Sequence, residues 1–323
     1  MRTHTMIART LAVALVALGA GACGDAVAPV GPVVPSAPSL AKGGPNALPK
    51  NGRIYFTSSF AGNNAEVYSM NPDGSDRRRL TYTSEYEIDL DVSPDGKKLL
   101  LATEVSGASE GYLYAMNVDG TNRRLVMSVP GSRVISPTWS PDGRSIAYAA
   151  RARDANVSAI WTVSANGGKA TQLTPSTVQA TWPSWSPDGA RIVYSATSEG
   201  SDNLNLYIMN ADGSAPTLLR ACAPGCATPV WSPDGARIVY AVIDGIVAHV
   251  QSCAMQQPVP NCGIPMGIDM NSLSIDVSPD GSQVAYMKTE SSADFIATAN
   301  LNGSAQTFVT ADLRSIFDLA WGR

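Results

Sequence analysis

The segment Thr138–Ala150, which reads TWSPDGRSIAYAA, contains the pattern that decides the fold. A tryptophan precedes its Ser-Pro-Asp-Gly turn, and apolar residues recur at every second position after it. Proline presets the first turn position, aspartate accepts bonds from nearby amides, and glycine takes the left-handed conformation. The segment therefore predicts two β-strands joined by a tight turn.

The same turn recurs along the chain at a nearly constant spacing. SPDG begins at Ser93, Ser140, Ser186, Ser232 and Ser278, so successive copies are 47, 46, 46 and 46 residues apart. A second turn motif occurs in most repeats, as NPDG (71–74), NVDG (117–120), SANG (164–167), NADG (210–213) and NLNG (300–303). Runs rich in β-formers flank both turns and indicate four antiparallel strands per repeat. A repeat of this length with four strands is typical of a β-propeller blade.

The tryptophan before the turn is expected to fill the space between neighbouring blades. This position holds Trp139, Trp185 and Trp231 in three repeats, and Val92 and Val277 in two others. One four-stranded sheet cannot bury both of its faces, so a large apolar side chain here stabilises the packing of one sheet on the next.

The two ends of the chain indicate the number of blades. The segment GRIYFTSS (52–59) is typical of the second strand of a blade, while SIFDLAWGR (315–323) places Trp321 at the position before the turn. We therefore predict an all-β fold over residues 51–323: a six-bladed β-propeller of four-stranded antiparallel blades, closed by the C-terminal strand joining the N-terminal blade. Closure removes exposed strand edges.

Residues 1–22 have the composition of a secretory signal peptide, with Arg2 and Arg9 ahead of an apolar run and small residues. The segment AGAC (20–23) resembles the lipobox of bacterial lipoproteins, which implies that Cys23 becomes the lipidated first residue of the mature chain. Cleavage by the ordinary signal peptidase is the alternative and would leave a soluble exported protein. Because Gly24 rather than aspartate follows the cysteine, we expect an outer-membrane lipoprotein facing the periplasm or the cell surface.

Residues 23–50 are expected to form a lipid-anchored tether. They are rich in proline and alanine and carry few charges, a composition that favours an extended chain over a packed core.

The mature chain is acidic, because removal of the signal peptide takes away two arginines and no acid, so that the formal charge of −4 becomes −6. An acidic chain has no electrostatic reason to bind nucleic acid. Two arginine clusters, Arg77–Arg79 and Arg123–Arg124, follow Asp-Gly turns and are expected to be solvated strand ends.

The repeat WSPDGxxIxY followed by LYxMNxDG, which extends through residues 51–323, resembles the TolB-type, WD-like β-propeller repeat of bacterial periplasmic proteins. The resemblance implies the fold but no single function, because such blades occur in binding proteins, in lyases and as gating domains of serine peptidases. A tether stands where TolB carries an α/β domain. We therefore expect a lipoprotein that lacks this domain, and a role in the Tol system does not carry over.

Four cysteines besides Cys23 indicate disulfides, because their number is even in an exported chain. Three pairings are possible. Successive turns of a meander lie at opposite ends of the strands, which favours the local pairs Cys222–Cys226 and Cys253–Cys262. Zinc bound by Cys222, Cys226 and His249 is the alternative, but no second close pair has the spacing of metal ligands. We predict no metal and no cofactor.

No catalytic residue is predicted. His249, the single histidine of the mature chain, is expected to be a packed or half-exposed strand residue. The segment GASEG (107–111) matches a nucleophile motif, but Ser109 lies in a predicted hairpin connection rather than between a strand and a helix. The Asp-Gly turns lack the spaced carboxylates of a calcium loop.

Acidic side chains are expected at the mouth of the central channel, which the first strand of each blade lines. The positions two and four residues before the SPDG serine hold Asp91 and Asp89 in one blade, Asp276 in another and Asp318 in the closing strand. Such a mouth would bind a cation or a basic peptide end. The alternative is that these side chains bond the backbone amides of neighbouring blades.

These patterns predict a monomeric cell-envelope lipoprotein that binds a protein or peptide partner without catalysis and contacts the membrane through its lipid anchor only. The fifth blade lacks the second turn motif and carries an insertion, which makes it a candidate binding surface. A polysaccharide lyase or hydrolase acting at the channel is the main alternative, and it would need several His, Arg or carboxylate groups converging there. A scaffold is the third possibility.

Overall fold

Short β-strands joined by the predicted turns make up the propeller region. The computed structural model describes residues 51–59, 64–105, 110–153, 155, 157–198, 200–255, 260–290, 293–310 and 315–322. The predicted signal peptide, Cys23, the predicted tether and Ser109 lie outside these residues. Within the described ranges the chain forms 24 strands and no helix, and so no helix there could cross a membrane.

The strands form six four-stranded sheets, which we number as blades. In chain order the strands are β1 (Arg53–Ser58), β2 (Glu66–Met70), β3 (Arg78–Arg79), β4 (Tyr86–Val92), β5 (Lys98–Glu104), β6 (Glu110–Asn117), β7 (Arg124–Pro130), β8 (Ser132–Trp139), β9 (Ser145–Ala152), β10 (Ser158–Ser164), β11 (Thr171–Gln172), β12 (Ala180–Trp185), β13 (Arg191–Thr197), β14 (Leu204–Asn210), β15 (Thr217–Arg220), β16 (Gly225–Trp231), β17 (Arg237–Asp244), β18 (Val247–Ala254), β19 (Asn261–Met270), β20 (Ile275–Val277), β21 (Gln283–Glu290), β22 (Ala293–Asn300), β23 (Thr307–Phe308) and β24 (Ile316–Gly322). Blade 1 has the order β24-β1-β2-β3, and blades 2 to 6 are β4–β7, β8–β11, β12–β15, β16–β19 and β20–β23. The predicted six-bladed propeller of antiparallel blades is confirmed.

The first strand of each blade lies on the inside of the ring. These inner strands contact one another in a closed cycle, from β24 to β4, β8, β12, β16 and β20, and from β20 back to β24. A ring of this kind places side chains of all six blades around one central space.

The C-terminal strand closes the ring as predicted. β24 pairs antiparallel with β1, from Arg53 opposite Gly322 to Ser58 opposite Ile316. The indole Nε1 of Trp321 donates to the backbone oxygen of Asn51 at 2.7 Å. The first and last strands of the propeller are therefore held together by hydrogen bonds and packing rather than by a connecting peptide.

Each Ser-Pro-Asp-Gly turn is held by hydrogen bonds of its own residues. In blade 3 the Ser140 hydroxyl donates to the Asp142 carboxylate at 2.5 Å and accepts from a backbone amide at 2.9 Å. Gly143 has a φ of 68°. In the second turn of blade 2, a Cβ on Gly120 would lie 2.5 Å from the backbone oxygen of Leu80, beside blade 1. Glycine therefore serves both the turn geometry and the close approach of neighbouring blades.

The predicted tryptophans pack at the seams between blades. Trp139 is 6% exposed and packs in one cluster with Leu100 and Leu113 of blade 2 and Tyr148 of its own blade. Trp231 is equally buried at the seam between blades 4 and 5. Burial of such a side chain contributes about 1.5–3 kcal/mol to the free energy of unfolding, so the rings stabilise the packing of sheet on sheet.

Both predicted disulfides are present. Cys222–Cys226 closes the connection between β15 and β16, where the chain passes from one blade to the next. Cys253–Cys262 joins facing residues of β18 and β19 at the opposite end of the strands. The irregular outer strand of the fifth blade, β19, has ten residues and two register shifts against β18.

We expect deletion of residues 315–323 to give an aggregating or unfolded product, because β1 would lose its partner and expose its edge, and the ring would open. Size-exclusion chromatography and thermal unfolding measure this outcome. Removal of Arg323 alone, which leaves β24 whole, is the control. A deletion variant that stays monomeric with an unchanged melting temperature would rule out the role of closure.

Candidate functional site

The four aspartates predicted at the channel mouth line one central cavity. This cavity has a volume of about 330 Å³ and is bounded by residues of all six inner strands or of the segments next to them. Asp89 and Asp91 come from β4, Asp276 from β20 and Asp318 from β24. The structure therefore brings the predicted residues together, in the three adjacent blades 6, 1 and 2.

All four of these carboxyl groups accept a hydrogen bond from the backbone of the next blade. Asp91 accepts from the amide of Trp139 at 2.7 Å. Asp276 accepts from the amide of Trp321 at 2.6 Å, and Asp89 accepts from a blade 3 amide at the same distance. These hydrogen bonds link one blade to the next, and each contributes about 0.5–1.5 kcal/mol when the carboxyl group is protonated.

Asp318 connects three blades. One oxygen accepts from the amide of Leu90 in blade 2 at 3.0 Å, and the other accepts from the hydroxyl of Ser274 in blade 6 at 2.7 Å. The Ser274 oxygen accepts in turn from the amide of Leu319 at 3.0 Å. Of the two interpretations that the sequence leaves open, bonding to the amides of neighbouring blades is the one observed. A ligand-binding role for these aspartates stays a prediction.

The opposite half of the cavity is apolar and hydroxyl-bearing. It is lined by Trp182, Pro183, Thr228 and Pro229 of blades 4 and 5, among others. The φ angle is 51° at Trp182 and 47° at Thr228. Each residue lies where the inner strand of its blade shifts register against the second strand. Ser136 has a φ of 49° at the same position before its turn, so this bulge is shared by the inner strands of blades 3, 4 and 5.

Sequence reasoning missed Trp182. It stands four residues before Ser186, at the repeat position that Asp89 occupies in blade 2. An aromatic residue at a position that is otherwise acidic or hydroxyl-bearing is the signal that would have found it.

Burial raises the pKa of every carboxylate in the cavity. The pKa is about 6 for Asp89 and Asp91 and about 7 for Asp276, and that of Asp318 lies well above its usual range. Desolvation is the main cause, mutual repulsion of Asp318 with Asp89 and of Asp276 with Asp91 adds to it, and the amide donors oppose it. The side chains keep some surface toward the cavity but are otherwise surrounded by protein.

His249 lies apart from this cavity. It is half-exposed on β18, and its Nδ1 lies 2.7 Å from the Asp269 carboxylate, which raises the pKa of the imidazole. None of the described residues that line the central cavity is a histidine, arginine or lysine. Cys222 and Cys226 form a disulfide with each other, so neither offers a thiolate to bind zinc. No group of three potential metal ligands is found within the described ranges.

The arginine clusters are only partly solvated. Arg78 is exposed as expected, but Arg79 pairs with the buried Glu66 at 2.7 Å. Arg123 forms an ion pair with Glu85 and lies over the ring of Tyr114, 3.6 Å from its centroid. The expectation of solvated strand ends is therefore wrong for Arg79 and Arg123, because each reaches acidic residues beyond its own turn.

We expect the propeller to unfold at a higher temperature near about pH 5 than near about pH 8. The pKa of Asp276 rises from 3.8 to about 7 on folding, and those of Asp89 and Asp91 rise to about 6. Stability from a raised pKa is complete below the unfolded value and is lost as pH rises through the folded value. The hydrogen bond from the Ser140 hydroxyl lowers the pKa of the turn residue Asp142. The stability that this bond contributes is therefore lost only in more acidic solution.

Thermal unfolding followed by circular dichroism over this pH range measures the effect. The Asp276→Asn variant keeps one acceptor for the Trp321 amide and should flatten the pH profile. His249→Gln is measured in parallel, because the raised pKa of His249 also makes the protein less stable as the pH rises. An unchanged profile in Asp276→Asn would contradict the assignment.

Comparison with known proteins adds to this geometry. A family model described as the TolB beta propeller domain matches residues 106–323. Dipeptidyl-peptidase 5 of Porphyromonas endodontalis is 30% identical over 118 residues, which are 35% of this chain and 17% of the peptidase. The match thus spans less than a fifth of that relative's length.

The solved structures with a similar fold include a TolB protein and a lyase. TolB from Acinetobacter baumannii superposes with a TM-score of 0.70 at 18% identity, covering 85% of this chain and 68% of that one. An oligogalacturonate lyase from Vibrio parahaemolyticus superposes with a TM-score of 0.53 at 14% identity, covering 79% of this chain and 74% of that one. At such identities the likeness is one of fold alone. The family model, which matches more than half of the residues, shows that this chain belongs to the TolB β-propeller family.

Proposed function

We propose that this chain is a lipoprotein of the bacterial cell envelope whose propeller binds a protein or peptide partner and catalyses no reaction. The observation that carries the proposal is the central cavity, in which engaged carboxylates face an apolar wall. A recessed apolar surface beside a few placed polar groups suits the binding of a peptide side chain or chain end.

The carboxylates support binding over catalysis. A general acid or base must exchange protons with a substrate, whereas Asp276 and Asp318 each accept two hydrogen bonds from the protein. The raised pKa values arise from burial and repulsion within this structural network. They do not by themselves call for a catalytic role.

Export to the envelope is supported by the N-terminal pattern and by the disulfides. Bonds such as Cys253–Cys262 form and persist in an oxidising compartment. We therefore place the protein at the outer membrane, anchored through Cys23 and facing the periplasm or the cell surface. We propose that it is monomeric, since closure leaves β1 and β24 paired with each other.

A polysaccharide lyase or hydrolase is the second candidate, because an oligogalacturonate lyase shares the fold. The absence of basic side chains among the described lining residues weighs against it, since an anionic sugar chain needs cationic partners. Release of unsaturated products from oligogalacturonate by the purified protein would reverse this ranking.

Replacement of the anchoring cysteine, Cys23→Ser, should move the protein from the membrane fraction to the soluble envelope fraction. A single thiol carries the lipid in this proposal, and without acyl chains the acidic propeller has no affinity for a membrane. Metabolic labelling with a fatty-acid analogue and fractionation measure the change. Cys222→Ser is the control, because it removes a cysteine that is disulfide-bonded in the propeller. Label retained by Cys23→Ser would contradict lipidation.

Binding at the central cavity should depend on its mouth. Leu273 lines the cavity and is 37% exposed, whereas Ile246 is 71% exposed in the β17–β18 turn and does not line it. We expect Leu273→Glu to reduce partner recovery from envelope extracts about tenfold or more, because a charge replaces an apolar contact there.

Pull-down with quantitative mass spectrometry measures the recovery, and Ile246→Glu is the matched control. Neither change removes a hydrogen bond between blades. Equal recovery of the same partner by the two variants would remove the central cavity as the binding site.

A further inference from the structure

Glu87 is an acidic residue at a position that is apolar in other blades. It stands six residues before the turn serine of blade 2, where Val134, Ala180 and Cys226 stand in blades 3, 4 and 5. These three side chains are fully buried, and so is that of Glu87. An acidic side chain is rarely buried to this extent unless it is paired, so its presence in this core position needs a physical explanation.

The contacts of Glu87 leave its carboxyl group only partly satisfied. Oε1 accepts from the hydroxyl of Thr83 at 2.9 Å and lies 3.8 Å from the guanidinium of Arg123. Oε2 is buried and has no hydrogen-bond partner among the described residues. The lost hydration of an ionised carboxylate would therefore be compensated incompletely at this place.

Glu87 shares the seam between blades 1 and 2 with two ion pairs. Arg79 of β3 pairs with Glu66 of β2 at 2.7 Å, and Arg123, which precedes β7, pairs with Glu85. Both guanidinium groups are thus engaged with another glutamate, and each pair is neutral. An ionised Glu87 would add a negative charge beside two acidic side chains that already hold the positive charges.

This surrounding raises the pKa of Glu87 from 4.5 to about 7. Burial is the main cause and the charges of Glu66 and Glu85 add to it, while the hydrogen bond from Thr83 and the charge of Arg123 oppose it. Two phenols at the edge of this cluster have raised pKa values and stay uncharged while the glutamate titrates: Tyr68 and Tyr114.

The connection of residues 80–85, which carries the chain from β3 of blade 1 to β4 of blade 2, closes the seam over this carboxyl group. The hydroxyl of Thr83 donates to Glu87, and its backbone amide donates to Glu66 at 3.1 Å. The carbonyl of Thr83 accepts from the side chain of Asn64 at 3.2 Å. Movement of the connection would uncover the carboxyl group while the strand ladders of both blades stay paired.

The connection between blades 3 and 4 has the same length but lacks the carboxyl groups. Its residues 173–178 read LTPSTV, and Ala180 stands at the position of Glu87. Thr174 accepts from a backbone amide of β10 at 2.8 Å, as Thr81 accepts from one of β2 at the same distance. The two connections are anchored alike where they begin, so the second serves as an internal control for the first.

We propose that Glu87 is a pH-sensitive latch on the connection of residues 80–85, which holds the connection on the seam while it is uncharged and releases it on ionisation. In the released form water hydrates the carboxylate, and the repulsion from the two neighbouring glutamates falls. The connection carries Tyr82, which is 75% exposed and lies under the guanidinium of Arg79. Release would therefore change the surface that the propeller presents here. The inference goes beyond the proposed function and does not depend on it.

The sign of the effect follows from the raised pKa. The stability that the latch contributes is complete below about pH 4.5, the value of an exposed glutamate, and is lost as the pH rises to about 7. Over this range the opening constant of the connection grows by at most about tenfold per pH unit, because one proton is released on opening.

Amide hydrogen exchange measured by mass spectrometry tests this proposal. The chain is prepared with its N-terminal segment and with Cys23→Ser to keep it unlipidated, and exchange at pH 5 and pH 7 is corrected for its intrinsic dependence on pH. Protection of residues 81–87 should fall about tenfold or more between these pH values, relative to residues 174–180. The carboxyl groups of the central cavity act on the whole ring, so the second segment reports their effect.

A matched pair of variants assigns the effect to one side chain. Glu87→Gln keeps an acceptor for the Thr83 hydroxyl and carries no charge, so it should remove the difference between the two segments. Glu110→Gln, which changes a glutamate at the start of β6 in the same blade, should retain the difference. A difference that persists in Glu87→Gln would overturn the proposal. Equal pH dependence of the two segments in the chain with Glu87 intact would also overturn it, and this comparison does not require the variant to fold.

Discussion

The pairing of β24 with β1 is the constraint on which the rest of the structure depends. These strands come from opposite ends of the propeller and have no connecting peptide, so their ladder joins the two ends of the row of six blades into a ring. The central cavity exists only in the closed ring, because residues from every blade line it. Its loss would expose two strand edges and the apolar faces of blades 1 and 6.

The carboxyl groups that bond one blade to the next lie near this closure. Asp276 and Asp318 reach across the two seams that β24 forms with its neighbours, and Asp91 reaches across the following seam, between blades 2 and 3. Further round the ring a hydroxyl takes the same place, as in the 3.4 Å contact of Ser184 with the Trp231 amide. The amide donors favour the ionised carboxylates, but burial outweighs them and raises the pKa, so these bonds stabilise the ring most when the carboxyl groups are protonated. The ring gains cohesion where no covalent link exists, and its stability thereby becomes dependent on pH.

The same arrangement bears on function. Carboxylates engaged with backbone amides are poorly placed for proton transfer to a substrate, whereas the wall around Trp182 offers surface for a ligand. A propeller repeats one seam six times, and small differences among the copies give each seam its own chemistry.

Period and turn chemistry in the sequence alone determined the strands, the number of blades, the closing strand and the disulfides, because each depends on residues close in the chain or on the count of repeats. The alignment also placed Asp276 and Asp318 at the channel. Only the tertiary structure decided that Asp276 bonds the amide of Trp321, that Arg123 reaches Glu85 and that Trp182 faces the cavity. These contacts join residues that are distant in sequence and meet only where two twisted sheets stack, so no local pattern encodes them.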